Sequence, residues 1–112
     1  MQTFKIPTHL RAPTRKWVRS VIEDFDFESH HFRILVRVAE AWDRGEQARE
    51  QIDRDGITVP DRYGVLKQHP AIAVERDSRT AFFRGIRELA LDGVGSPSAP
   101  GMPRTPDYGS RR

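Results

Sequence analysis

The sequence predicts a mainly α-helical fold: a short N-terminal helix, then a long antiparallel helical hairpin whose connector holds a small β-hairpin or an extended stretch. Two observations predict it. Residues 30–55 and 70–91 carry apolar or small side chains at alternating spacings of three and four, the period of a helix that buries one side. Between them, Ile57-Thr58-Val59 and Val65-Leu66-Lys67 are short β-branched or apolar runs around Pro60-Asp61-Arg62-Tyr63-Gly64, which reads as a small hairpin with Gly64 as its turn residue. The chain has 112 residues, enough for one domain, and its Pro-, Gly- and Ser-rich end shortens the part able to fold. A core this small predicts that other copies finish burying the helix faces.

Residues 1–13 hold Pro7 and Pro13 among few apolar side chains and read as an extended, flexible arm. Thr14 is a suitable N-cap for a helix over 15–26, in which Trp17, Val18, Val21, Ile22 and Phe25 share one side while Lys16, Arg19 and Glu23 face outward. Phe27-Glu28-Ser29 breaks that pattern, and Ser29 can cap a longer helix that stops at Gly56. Its seam is Leu35, Val38, Trp42, Gly45, Arg49 and Ile52, with Ala39, Ala41 and Ala48 alongside and Arg33, Arg37, Glu40 and Arg44 opposite. The connector, 56–69, ends at His69-Pro70, because proline is tolerated where a helix opens.

The return helix carries a stripe of small residues, Val74, Ser78, Ala81 and Gly85, flanked by Phe82, Ile86 and Leu89. Phe83, Ile72 and Ala90 widen the apolar surface beyond what one partner helix needs, which points to subunit contacts. Arg49 lies in the seam of the long helix and Glu75 beside the stripe, at about the same height above the connector, which predicts an ion pair that sets hairpin register. Residues 93–112 cannot form a packed element and read as a disordered basic tail.

The net charge is +3, and basicity sits at the ends: residues 1–37 carry seven Lys/Arg against four Asp/Glu, and 93–112 carry three against one. That distribution suits polyanion contact by the arm and the tail, with a middle left for packing. The absence of cysteine excludes disulfides and thiolate metal sites, and no apolar run is long enough for a membrane span or a signal peptide. A soluble, intracellular protein with no membrane role is expected.

No phosphate loop, nucleophile elbow, metal-ligand spacing or carboxylate cluster appears, so neither an enzyme nor a cofactor is expected. His30-His31 reads as the N-terminal turn of a helix, and Glu75-Arg76-Asp77 as part of a salt-bridge-laced helix. Trp17 and Trp42 fall in the apolar phase and read as core residues before base-stacking ones. A short helix, a tight turn and a longer helix loosely follow a helix-turn-helix plan, with Arg11, Arg15, Lys16 and Arg19 around its start.

Over residues 9–92 the chain resembles the small terminase subunits of tailed phages, of the type grouped around phage protein twenty-seven. The resemblance is carried by Thr14-Arg15-Lys16-Trp17 before an apolar helix and by Ala39-Glu40-Ala41-Trp42-Asp43-Arg44. It continues with Arg62-Tyr63-Gly64 before His69-Pro70, and with Glu75-Arg76-Asp77-Ser78-Arg79 leading through Phe82 and Arg84 to Arg87-Glu88-Leu89. The order and spacing of these pieces carry it, and at its end Ala90 stands where relatives have glycine.

The resemblance implies a non-catalytic part of the genome-packaging motor of a phage or prophage, working in the cytoplasm of the bacterial host. It would form a homo-oligomeric ring, bind double-stranded viral DNA and regulate a large terminase subunit that carries the ATPase and nuclease. Carried onto this sequence, Leu35, Val38, Trp42, Phe82, Phe83, Ile86 and Leu89 would form the protomer core and ring contacts. Arg11, Arg15, Lys16, Arg19, Arg33 and Arg37 would contact phosphate. Two other readings are a small dimeric helix-turn-helix regulator and a helical-hairpin adaptor with no nucleic-acid role.

Overall fold

Three helices and one β-ribbon follow in the order α1 (Ala12–Asp24), α2 (Ser29–Asp55), β1 (Thr58–Pro60), β2 (Leu66–Gln68) and α3 (Ala71–Glu88). The computed structural model describes residues 3–91, so the tail expected over 93–112 lies outside the described residues. The mainly helical architecture with a small antiparallel ribbon is the one the sequence predicts.

Helix α1 starts earlier than its caps suggest. Pro13 sits in its first turn, where a missing N–H costs nothing, and Thr14 lies inside the helix and is buried. The cap comes from α2 instead: Asp43 accepts the Arg11 backbone N–H at 2.8 Å and the Thr14 hydroxyl. A carboxylate there meets both an unpaired helix donor and the positive end of the helix dipole.

At the start of α2 the cap is Glu28, one residue before the expected Ser29, and its N–H donates to His31 Nδ1 at 3.2 Å. The helix ends as predicted at Gly56, whose φ of 83° a residue without Cβ adopts freely. In the ribbon Thr58 faces Gln68, Val59 faces Lys67 and Pro60 faces Leu66. Asp61 organises its loop by accepting the N–H groups of Tyr63 (2.8 Å) and Val65 (3.0 Å) on one carboxylate oxygen.

Helices α2 and α3 pack through the small-residue stripe. Gly85 lies under Val38, and a Cβ on Gly45 would stand 3.4 Å from the Ser78 Cβ, so the helices approach closely at both places. The predicted Arg49–Glu75 pair does not form. Arg49 binds Glu46 at 2.8 Å and approaches Asp53 at 3.8 Å on its own helix, while Glu75 meets Arg79 at 3.6 Å. The buried position on that turn of α2 belongs to Ala48, one residue earlier. A helix turns every 3.6 residues, so a strict three-four alternation drifts off the seam, and Arg49 is left on its exposed flank.

Helix α3 stops at Glu88 rather than running to 91. The Leu91 N–H bonds the Ile86 carbonyl at 2.9 Å and the Ala90 N–H bonds that of Arg87 at 2.9 Å. This is the Schellman pattern, and it places Ala90 at a φ of 55°.

The arm is extended as expected, but it is not loose. Leu10 is 3% exposed and joins Val18, Val21, Leu35 and Ala39 in the core, with Ile6 packed against them. The Phe4 and Phe32 rings stack at 4.6 Å. Burying a leucine side chain contributes about 1.5–3 kcal/mol, so Leu10 belongs to the folded unit.

Candidate nucleic-acid interface and aromatic groove

The basic residues divide by what already holds them. Arg11 donates to both carboxylate oxygens of Glu50, at 2.8 and 3.2 Å. That bond raises the Arg11 pKa above its ordinary value and lowers that of Glu50. Arg11 therefore ties the arm to α2, while its guanidinium side chain stays 40% exposed. Arg15 donates to the Thr8 carbonyl at 3.3 Å, and Arg37 to Glu40 at 3.0 Å, a carboxylate that His9 also meets at 2.8 Å.

Lys16, Arg19 and Arg33 are exposed, and none makes a hydrogen bond or ion pair with another described residue. Lys16 and Arg19 lie one turn apart on the side of α1 away from Val18 and Val21, while Arg33 lies on the first turns of α2. Arg15, Lys16 and Arg19 thus share one helix, and Arg33 and Arg37 share another.

The residues expected to build the protomer separate in the same way. Leu35 and Val38 are buried, and Ile86 and Leu89 are half-buried. Trp42 is 47% exposed and Phe83 55% exposed. Phe82 lies between the two tryptophans, its ring centroid 5.0 Å from that of Trp42 and 5.9 Å from that of Trp17. With Pro13 and Thr14 these three aromatics line an open cleft of about 230 Å³.

His69 is a residue whose role the sequence does not announce. It is 7% exposed, its Nδ1 accepts the Ala71 N–H at 2.9 Å, and its Nε2 meets Asp55 at 3.0 Å. Because Nδ1 accepts, the ring proton of the neutral imidazole sits on Nε2, towards the carboxylate. Its backbone N–H donates to the Ile57 carbonyl at 2.9 Å, so one residue ties the end of α2, the foot of the ribbon and the start of α3. The only signal was a histidine directly before a helix-opening proline.

The ribbon beyond His69 carries exposed apolar side chains, Ile57, Tyr63, Val65 and Leu66, with the Arg62 guanidinium 5.2 Å from the Tyr63 ring centre. Among the described residues no group of His, Cys, Asp or Glu is placed to hold a metal ion, and no helix is long and apolar enough to cross a membrane. No family model, curated protein or solved structure matches the chain.

Proposed function

We propose that the chain is the small, non-catalytic subunit of a phage or prophage terminase, which binds double-stranded viral DNA as a homo-oligomeric ring and regulates a large packaging subunit. The observation that carries this reading is the outward side of α1, where Lys16 and Arg19 stand without an acidic partner among the described residues. Cations so placed meet a phosphate backbone without first breaking an ion pair, and they carry no base-reading geometry, so the contact is electrostatic. Arg15 extends that side by one residue, and Arg33 supplies a further free cation on α2. The motif order from Thr14 to Leu89 supports the assignment to this family, and exposed Phe83 supports assembly by supplying apolar surface for a neighbouring copy.

The test is duplex DNA binding across a salt series for the full chain and for Arg15→Ala/Lys16→Ala/Arg19→Ala. The reading expects weaker binding to every sequence alike and a shallower salt dependence, by about 0.9 in slope for each phosphate no longer neutralised. Unchanged retention and slope would remove this surface from DNA binding.

A further inference from the structure

The cleft between Trp17, Trp42 and Phe82 is apolar, open and built from flat rings, and it takes no part in the cationic surface on α1. Beyond the described residues the sequence reads Pro97-Ser98-Ala99-Pro100-Gly101-Met102-Pro103-Arg104-Thr105-Pro106, four prolines at a constant spacing of three. A polyproline II helix repeats every three residues, so this spacing would put all four rings along one side of such a helix. Aromatic-lined grooves bind that conformation because proline stacks on flat rings and its fixed φ leaves little entropy to lose. We propose that the Trp17–Trp42–Phe82 cleft binds residues 97–106 of its own chain as a polyproline II segment, covering the aromatic rings from within the molecule.

The reach is sufficient. Leu91, the last described residue, packs against the core cluster that Trp17 also covers. Phe82 lies six residues before the end of α3 at Glu88, a rise of about 9 Å. The six residues from Leu91 to Pro97 span up to about 19 Å at the polyproline II rise, and the Schellman turn at Ala90 already redirects the chain. The same rings that line the cleft report on it, because Trp17 and Trp42 are the two tryptophans of the chain.

The experiment compares the full chain with a variant carrying Pro97→Ala, Pro100→Ala, Pro103→Ala and Pro106→Ala, at matched far-UV helicity. Tryptophan emission of the variant should shift to the red and be quenched more strongly by acrylamide, while the emission of the parent chain stays constant on dilution. Identical emission and quenching in the two proteins would overturn the proposal. So would a parent spectrum that moves to the red on dilution, which would make a second copy the occupant. A nitroxide on Ser98→Cys, in a chain with no other cysteine, gives an independent reading. It should broaden both indole N–H resonances of the chain that bears it. Unbroadened resonances, or broadening only when spin-labelled chains are mixed with isotope-labelled ones, would contradict occupancy within one molecule.

Discussion

A Cβ on Gly85 would overlap the Cγ2 methyl of Val38, so the closest approach of α2 and α3 depends on a missing methyl group opposite a β-branched one. Val38 is 3% exposed and, being β-branched on a helix, has little rotamer freedom with which to withdraw. Gly85→Ala would gain about 1 kcal/mol of helix propensity, but the overpacking strain of about 1–3 kcal/mol should exceed that gain. Urea denaturation should show a lower midpoint for Gly85→Ala and part of the loss recovered when Val38→Ala is added. Gly45→Ala is the contrasting case. Its Cβ would meet Ser78 Cβ at ordinary contact distance, so the propensity gain should show as an unchanged or higher midpoint.

Ala90 holds a left-handed conformation that costs an L-residue roughly 1–2 kcal/mol. Ala90→Gly should keep the two capping bonds from Leu91 and Ala90 and remove that cost. The expected result is a rise of about 1 kcal/mol in unfolding free energy at an unchanged denaturant slope.

His69 holds Ala71 through Nδ1 and Asp55 through Nε2, and the two bonds can be separated. Asparagine places an acceptor near the Nδ1 position and gives up the Asp55 contact; alanine gives up both. His69→Ala should therefore destabilise the connector by about 1–3 kcal/mol, with His69→Asn between it and the parent. Amide exchange at Ala71 should rise sharply in His69→Ala and less in His69→Asn.

Acid should loosen the connector. Backbone N–H bonds, first from Val65 and then from Tyr63, hold the Asp61 carboxyl below its ordinary pKa. Hydrogen bonds from Arg54 and then His69 do the same for Asp55. A depressed folded-state pKa means that the stabilisation is complete above the unfolded value of about 3.9 and is lost as pH falls through the lower folded value. The Tyr63 and Val65 amide resonances should hold steady through neutral and mildly acidic pH and move only below that range. Asp61→Asn, which keeps an acceptor oxygen but does not titrate, should abolish the movement at these two amides.

How much of this was legible follows from the range of each interaction. The helices and the ribbon come from local signals, apolar period and turn residues, and both were readable. The docked arm was not, because it has no period and its contacts join residues some thirty positions apart, as with Arg11 to Asp43. A trace was present all the same: Glu40, Asp43 and Glu50 recur along one side of α2, facing His9, Arg11 and Thr14. Charge counting does not see partners, so the Arg11–Glu50 pair has no signal in the sequence. Arg49 failed for a different reason, since a few tens of degrees of helical drift decide whether position 48 or 49 faces α3. Trp42 meets Phe82 across the two helices, yet against its reading as a core residue 47% of it stays exposed, because no described residue closes the far side of the Trp17–Phe82 cleft.

Light scattering on the purified full chain reads the proposed assembly into a ring. A single closed species of many subunits is expected, giving way to smaller ones when Phe83, 55% exposed on α3, is changed in Phe83→Glu. A dimer at working concentrations would favour a small helix-turn-helix regulator. A monomer, or a ring indifferent to Phe83→Glu, would contradict the assembly surface proposed for α3.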